Sequence, residues 1–330
     1  MKEVKKGKRK VVVIGGGTGT YQVLVGLKRY KNLDLSAVVA MSDSGGSTGV
    51  LRQEFGMFPP GDVRRALLAL SSLPIREKTL EKLFDFRFTN GKTLRGHSLG
   101  NIFLAALTQI TGSPKRAIEE AERILAVSGR VLPVTLENTN LCAVLEDGTR
   151  IFGETHIDVR DEKPDVPIKT VFLQPRPRIF SGAREAIISA DLIVLAPGDL
   201  YTSIIPNLLV DGVNQAIAKS QAKVVFVMNL MTKHGETDGF GVLRFTREIG
   251  RYLDGAAKKL SYVIVNRDLR GQKILPWYRK FKSEPVKEDF DGSTSLKIVR
   301  GNFVENGVGA HFIRHDPQKL ARVLVNLLNN

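Results

Sequence analysis

Cysteine is almost absent from this chain of 330 residues, which has one, Cys142. A single thiol excludes an internal disulfide and any zinc site built on cysteine ligands. Because Cys142 lies within the apolar run of residues 141–145, we interpret it as a buried structural thiol rather than as a nucleophile.

Long apolar runs are absent as well. No stretch approaches the roughly 20 apolar residues that cross a membrane. The apolar residues 11–14, which follow the basic start MKEVKKGKRK, are too few for the core of a signal peptide. We therefore expect a cytoplasmic protein without a membrane span, in which residues 1–10 form a solvated basic tail.

Acidic residues are in the minority, because 34 Asp and Glu stand against 49 Lys and Arg and leave a net charge of +15. Such an excess fits nucleic acids, anionic membranes or polyanionic small molecules. The sequence has no helix-turn-helix, zinc-finger or RNP motif. The charge therefore favours an anionic small ligand over specific nucleic-acid binding.

What the chain does have is an alternation of Val- and Ile-rich runs with helical stretches, typical of parallel strands joined by helices. The clearest strands are residues 10–14, 35–41, 192–196, 223–228 and 262–265. Helices are predicted at residues 21–30, 79–86, 98–111, 114–127, 183–189, 207–219 and 317–328. The expected fold class is α/β, a Rossmann-like, doubly wound and mostly parallel sheet.

Residues 131–175 depart from this alternation. The Asp147-Gly148 pair within them is a strong hairpin-turn signal, so we expect a small antiparallel insertion in a single domain of residues 11–330. Residues 270–295 mix aromatic and charged side chains without a clear period.

A glycine-rich loop follows the first strand and consists of Gly15, Gly16, Gly17, Thr18 and Gly19. Glycine lets backbone N–H groups approach phosphate oxygens, and the N-terminus of the following helix attracts anions. The loop lacks the Gly-Lys-Ser/Thr of a P-loop, and Gln22 replaces the last glycine of the strict dinucleotide motif. We interpret it as a phosphate-binding loop, with a tight turn that binds nothing as the alternative.

A second polar loop follows the second strand and contains Asp43, Ser44, Gly45, Gly46, Ser47 and Thr48, with Arg52 one turn later. Asp43 suits a hydrogen bond from a ribose or sugar hydroxyl, or a metal ion held through water. The hydroxyls of Ser47 and Thr48 suit phosphate. The alternative is a flexible linker.

Two further motifs lie at predicted helix starts. In PPGDVRR, residues 59–65, Arg64 and Arg65 are predicted to hold phosphate, and Asp62 is either a ligand contact or the helix cap. In RGHSLGN, residues 95–101, His97, Ser98 and Asn101 lie at the start of the 98–111 helix. His97 is either an acid, base or ligand contact, or a neighbour of the cap.

Two more loops follow the third and fourth predicted strands. They supply Gly198, Asp199, Tyr201, Thr202 and Ser203, and then Asn229 and Thr232. Because parallel strands end at one edge of a sheet, these loops should converge with the first two. The catalytic candidates are Asp43, Asp62, His97 and Asp199, and the candidate metal ligand is Asp43.

Five segments occur in a fixed order along the chain: GGGTG, PPGDVRR, GHSLGN, APGDLYTSIIPNLL and NLMTKHGET. Over about residues 11–321 they resemble the family that joins the YvcK-type gluconeogenesis factors with the 2-phospho-L-lactate transferases (CofD), and the former more closely. The resemblance implies a Rossmann-like fold, a cytoplasmic location and an influence on cell shape and wall synthesis during gluconeogenic growth. It implies a UDP-sugar ligand such as UDP-GlcNAc, with other nucleotides or NAD fitting the same cleft. The transferase branch implies a guanosine-diphosphate donor and Mg²⁺.

Two segments depart from that family. Ser44 follows Asp43 where relatives commonly have a second acid, which weakens Mg²⁺ coordination. Lys233 and His234 stand where relatives often have Gln-Pro, and Lys233 is either a charge beside a diphosphate or a solvated side chain. A regulator that binds a nucleotide-sugar and signals to a cell-wall or metabolic protein is the first hypothesis, and a homodimer is compatible with it. A Mg²⁺-dependent transferase and an NAD-dependent enzyme are the alternatives.

Overall fold

A computed structural model of the chain describes residues 7–73, 77–91, 93–160, 163–269, 273–290, 296–305 and 312–330. The first six residues of the predicted basic tail, His311 and parts of the 270–295 segment lie outside these ranges. Within them the strands are β1 Arg9–Gly15, β2 Leu33–Val39, β3 Arg130–Pro133, β4 Asn140–Leu145, β5 Arg150–Phe152, β6 Ile168–Gln174, β7 Leu192–Leu195, β8 Lys223–Val227, β9 Leu260–Asn266 and β10 Lys297–Gly301.

Seven of these strands form one parallel sheet in the order β10-β9-β8-β7-β1-β2-β3. Its central strands are buried on both faces, as shown by Val11, Val13, Ile193 and Val225, which have no exposed surface. All five predicted strands lie in this sheet, so the predicted α/β fold class is confirmed.

The two edge strands were not predicted. β3 has four residues, too few for a clear apolar run, and it pairs in parallel with β2. In β10 the basic residues Lys297 and Arg300 interrupt the apolar pattern, and the strand is half exposed. Edge strands carry weaker hydrophobic signals because one side faces solvent or a loop.

The predicted antiparallel hairpin is confirmed. β5, β4 and β6 form a three-stranded antiparallel sheet, and Gly148 makes the turn between β4 and β5 with φ of +86°. Antiparallel pairing begins at Asn140 rather than near residue 131, because β3 belongs to the main sheet. Cys142 lies in β4 and is buried, as predicted.

The helices are α1 Gly17–Leu27, α2 Gly46–Phe55, α3 Pro60–Leu70, α4 Glu77–Asp85, α5 Leu99–Thr111, α6 Pro114–Ile124, α7 Glu154–Asp158, α8 Ser181–Ile188, α9 Ile205–Leu208, α10 Val213–Lys219, α11 Val242–Leu253, α12 Leu275–Lys280 and α13 Pro317–Asn329. A π-helical turn, Leu200–Ile204, precedes α9. Six of the seven predicted helices are confirmed, with ends that differ by a few residues. The α11 helix was missed although Val242, Phe245, Ile249 and Leu253 are buried at helical spacing.

The predicted continuous helix over residues 207–219 is wrong. It is divided into α9 and α10, and Gly212 between them has φ of +100°. A right-handed helix cannot continue through a residue in the left-handed region. The break lets the backbone N–H of Asp211 donate to the carbonyl of Pro177.

The order of the main sheet creates a crevice beside β1. The chain passes from β1 to β2 on one side, whereas β7 pairs with β1 on the other. The connections therefore diverge between β1 and β7, and in open α/β sheets ligands bind at this point, outside the carboxyl ends of the strands. The predicted loops after β1, β2, β7 and β8 all leave the sheet at that edge.

Candidate functional site

The glycine loop after β1 lies in close contact with the loop after β7. A β-carbon placed on Gly19 would overlap the carbonyl oxygen of Pro197. The hydroxyl of Thr20 donates to the carbonyl of Gly16 at 3.0 Å and fixes the turn into α1. Only glycine at position 19 permits this approach, and it brings the loop against Gly198 and Asp199.

Two side chains of α3 reach the glycine loop. Asp62 Oδ1 accepts a 2.7 Å hydrogen bond from the backbone N–H of Gly17, and Arg65 donates to the hydroxyl of Thr18 at 3.1 Å. Asp62 is not the cap of its helix, because Pro59 occupies that position. Burial and the neighbouring Asp43 raise the pKa of Asp62 to about 6, although the Gly17 N–H opposes the shift.

Arg64, next in sequence to Arg65, is placed elsewhere. Its side chain is buried between α3 and α5, where it donates to the hydroxyl of Ser98 at 2.7 Å and to the carbonyl of Phe84. Its guanidinium also forms an ion pair with Asp85, with Nη2 3.0 Å from Oδ1. Arg64 is therefore already bonded within the helical layer, and Ser98 is the N-cap of α5.

The second polar loop is fixed at both ends. Asp43 Oδ1 accepts from the N–H of Gly45 at 2.8 Å, and Arg52 donates to the carbonyls of Asp43 and Thr139. Ser44 contacts the hydroxyl of Thr155, at 3.2 Å. The loop is thus a defined turn, bound to Thr139 just before β4 and to Thr155 of α7.

The start of α2 joins the start of α5. The Ser47 hydroxyl lies 2.9 Å from His97 Nδ1 and accepts a 3.2 Å bond from the Asn101 amide. These three side chains are buried, as is Thr48. The structure therefore brings His97 and Asn101 together with Ser47 of the second polar loop.

The residues after β7 and β8 mainly form hydrogen bonds within the protein. The Asn229 amide exchanges hydrogen bonds with the backbone of Gly198. The Thr232 hydroxyl accepts from the N–H of Glu284, and the Thr232 carbonyl accepts from the hydroxyl of Ser283. Tyr201 is buried with its hydroxyl on Glu248, and the N–H of Ser203 donates to the carbonyl of Asp199. These contacts hold Asp199 at the crevice.

Acidic residues that sequence reasoning missed lie beside these loops. Glu154, on α7, is close to Asp43 and Asp158, and burial together with their charges raises its pKa to about 8. Asp158, one helical turn later, forms an ion pair with Lys233. The only sequence signal was the spacing of two acids on one short helix, a pattern common on solvated surfaces.

Lys233 lies at the centre of three carboxylates. Its Nζ atom is 2.8 Å from Asp199 and 3.1 Å from Glu236, and it also contacts Asp158. The hydroxyl of Thr202 bonds both Asp158 and Glu236. Of the two interpretations of Lys233 from sequence, the solvated side chain is wrong, because Lys233 forms ion pairs with three carboxylates.

A cavity of about 430 Å³ opens at the crevice between β1 and β7. Its walls come from the first glycine loop, the loops after β7 and β8, α12 and residues 312–315, namely Thr18, Gly19, Gln22, Pro197, Gly198, Asp199, Asn229, Leu230, Met231, Tyr278, Phe312, Ile313, Arg314 and His315. This volume lies in the range of small-molecule sites, about 300–1,000 Å³.

The wall formed by residues 312–315 was not predicted. Phe312 is 48% exposed although it lines the cavity, and the Arg314 guanidinium lies 5.7 Å from its ring. The Tyr278 hydroxyl accepts from the N–H of Ile313 at 3.0 Å and joins α12 to this segment. Burial lowers the pKa of His315 to about 4, so its imidazole is neutral.

None of the described helices combines the length and apolar character needed to cross a membrane.

Comparisons with known proteins agree with this architecture. A model of the family described as 2-phospho-L-lactate transferase CofD matches residues 11–304. A protein of Thermoanaerobacterium thermosulfurigenes is 43% identical over 324 residues, which cover 97% of both chains. A protein of Bacillus subtilis named gluconeogenesis factor is 38% identical over 330 residues, covering 97% of this chain and 98% of its own.

A solved structure extends the similarity to three dimensions. The crystal structure of a Bacillus halodurans protein has a TM-score of 0.88 and 39% identity, and it covers 96% of this chain and 99% of its own. The similarity to known proteins thus extends from the sequence to the fold. The chain belongs to the family that unites the gluconeogenesis factors with the 2-phospho-L-lactate transferase CofD.

Proposed function

We propose that the crevice binds a nucleotide diphosphate-sugar such as UDP-GlcNAc, and that the chain acts as a gluconeogenesis factor by sensing this ligand. The observation that carries the proposal is the composition of the cavity wall. Phe312, Tyr278 and Arg314 line the cavity together with Asp199 and the glycine loop. A ligand with an aromatic base, a diphosphate and a polyhydroxyl group matches these three kinds of group.

The aromatic side suits the base. The rings of exposed Phe312 and half-buried Tyr278 line the cavity, and stacking against a base would stabilise the complex. Arg314 adds a cation beside them, in reach of a base carbonyl or a phosphate.

The glycine loop suits the diphosphate. Gly16, at the N-cap position of α1, provides no side-chain acceptor for the first-turn amides, of which the Gly17 N–H bonds Asp62. The N–H groups at the start of a helix attract phosphate oxygens, and Arg65 at Thr18 supplies a further positive charge.

The acidic side suits a sugar. The Asp199 side chain is 42% exposed and lines the cavity, so its carboxylate retains acceptor capacity for hydroxyl donors.

The proposal is tested by calorimetric titration of UDP-GlcNAc, UDP, GDP and NAD. We expect the tightest binding for UDP-GlcNAc, with no release of UDP or sugar during long incubation. Phe312→Ala should weaken binding about tenfold. Phe281→Ala is the matched control, because Phe281 is exposed and contacts Trp277 in the same aromatic group but does not line the cavity. Absence of UDP-GlcNAc binding at millimolar concentration refutes the proposal.

The family description favours a second candidate, transfer of a 2-phospho-L-lactate group, for which the resemblance of the sequence implies a guanosine-diphosphate donor and Mg²⁺. Its test is the release of GMP from guanosine-diphospho-lactate in the presence of a deazaflavin acceptor and Mg²⁺. Sustained GMP release would establish this reaction and overturn the regulator proposal.

In the cell we propose a cytoplasmic location and a cell-wall or metabolic protein partner that responds to the bound state, with a homodimer as the working assembly. Deletion of the gene should alter cell shape during growth on gluconeogenic carbon and leave shape normal on glucose. Equal shape on both carbon sources would contradict this role.

A further inference from the structure

Three carboxylates converge on one point beside the cavity. Oxygen atoms of Asp158, Asp199 and Glu236 lie within 4.8 Å of one another. This is a spacing that suits a single cation. The cation present is the Lys233 ammonium, with Nζ at 2.8 Å from Asp199 and 3.1 Å from Glu236 and in contact with Asp158.

The carboxylates are also held from sides other than Lys233. Glu236 accepts a 3.0 Å bond from the N–H of Tyr201, and its side chain has no exposed surface. The Thr202 hydroxyl reaches Glu236 at 3.1 Å and Asp158 at 3.3 Å. Backbone and hydroxyl donors therefore contribute to holding Glu236 and Asp158.

The electrostatics keep Lys233 charged. Burial alone lowers the pKa of Lys233, but the charges of Glu236, Asp199 and Asp158 outweigh it and raise the pKa above its ordinary value. The side chain is thus an ammonium throughout the physiological range. The ammonium faces three acidic side chains, whose oxygens are the ligand type that Ca²⁺ and Mg²⁺ take.

A divalent cation, which the transferase members of the family imply, does not fit this triad. An ion coordinated by the three carboxylates would occupy the position of Nζ, and two cations this close repel strongly. Asp43, the metal ligand predicted from sequence, is not part of the triad, and one of its oxygens accepts the Gly45 N–H.

We infer that the Lys233 ammonium is a resident cation that takes the place of a divalent metal ion at the Asp158, Asp199 and Glu236 triad. The sugar side of the cleft is therefore preorganised without metal. That ligand binding needs no metal rests on the proposed function; occupation of the triad by Lys233 does not.

The test uses Mn²⁺ alone as the probe, with free Mn²⁺ measured by electron paramagnetic resonance in the full chain. Lys233→Ala removes the cation and leaves the triad, so it should bind one Mn²⁺ at least about tenfold more tightly than the unmodified chain. Lys233→Arg retains a cation and should resemble the unmodified chain. Addition of Glu236→Gln to Lys233→Ala should abolish most of the gain.

Stability gives a second readout. Because a ligand that binds only the folded state raises Tm, millimolar Mn²⁺ should raise the Tm of Lys233→Ala and not that of the unmodified chain. If Lys233→Ala does not fold even with Mn²⁺, Lys233→Gln, which keeps most of the stem, replaces it in both measurements.

The inference is overturned if the folded variant without Lys233 binds Mn²⁺ no better than the unmodified chain. It is also overturned if the unmodified chain binds Mn²⁺ tightly and Asp158→Asn removes that binding. A parallel titration of UDP-GlcNAc in EDTA and in Mg²⁺ should give equal affinities. Absence of UDP-GlcNAc binding in both buffers would refute the proposed function and leave the Mn²⁺ result intact.

Discussion

The carboxylate of Asp62, on α3, accepts a hydrogen bond from the backbone N–H of Gly17 at 2.7 Å, so an acid lies against the loop where an anionic ligand is expected. Because burial and Asp43 raise the pKa of Asp62 to about 6, its charge is present above about pH 6 and largely absent below. A diphosphate competes with the charged form for the Gly17 N–H and is repelled by it. Neutral Asp62 is a weaker acceptor for the Gly17 N–H and does not repel the diphosphate by charge.

We therefore expect the affinity for UDP-GlcNAc to fall as the pH rises from 5 to 8, since the charge of the diphosphate itself is constant over this range. Asp62→Asn should remove most of the trend and bind roughly tenfold more tightly at pH 8. Calorimetric titrations at three pH values measure both effects, with Glu146→Gln in the exposed hairpin turn as control. Weaker binding by Asp62→Asn at every pH would instead make Asp62 a ligand contact.

Glu154 gives a prediction for stability. Burial, Asp43 and Asp158 raise its pKa to about 8, above the ordinary value that applies in the unfolded chain. The neutral carboxyl of Glu154 therefore favours the folded state over the unfolded state. This contribution to the free energy of unfolding is fully present below the ordinary pKa and is lost as the pH rises through about 8. Glu154→Gln should therefore raise Tm by a few degrees relative to the unmodified chain at pH 9 and change it little at pH 5.

Calorimetric scans of Glu154→Gln, the unmodified chain and Glu146→Gln across this range measure the difference. The Glu146→Gln curve should follow the unmodified chain, because Glu146 is exposed on the hairpin turn. A constant offset between Glu154→Gln and the unmodified chain at all pH values would contradict the assignment.

The predictable part of the site is the part that follows strand ends. Gly19, Asp43 and Asp199 come directly after buried apolar runs, and parallel strands bring their loops to one edge. Sequence therefore predicted which loops converge. It did not predict that Asp62 bonds Gly17, because pairing between side chain and loop depends on the angle at which α3 packs.

The missed residues share a different reason. Phe312 and Arg314 follow a half-exposed edge strand, and Glu154 lies on a five-residue helix after a hairpin. Neither segment has the apolar period that identifies buried elements. Their positions depend on contacts with residues distant in sequence, such as Trp277 for Phe312 and Ser44 for Glu154, which leave no local pattern in the sequence.

Gly19 provides a test of loop contact. Gly19→Ala places a methyl group against the Pro197 carbonyl, so the loops after β1 and β7 must separate. We expect a loss of about 1–3 kcal/mol in the free energy of unfolding and a marked loss of UDP-GlcNAc affinity. Gly250→Ala is the matched control, since Gly250 lies within α11 with open space around it.

Urea unfolding and calorimetric titration of both glycine variants measure these effects. Gly250→Ala should be neutral or slightly stabilising, because alanine favours a helix more than glycine does. Unchanged stability and affinity in Gly19→Ala would show that the two loops do not depend on this contact.

Arg64 and Arg65 are adjacent in sequence and differ in role. Arg64 is buried and bonds Ser98, Phe84 and Asp85, so Arg64→Met should lower the free energy of unfolding by about 2 kcal/mol or more, because the removed cation leaves its partners without a donor. Arg65→Met should leave stability nearly unchanged and weaken UDP-GlcNAc binding about tenfold, since Arg65 reaches Thr18 at the glycine loop. Urea unfolding and calorimetric titration of both variants separate the two roles. Similar losses in both measurements for both variants would contradict the division, because a shared phosphate clamp predicts reduced affinity in each.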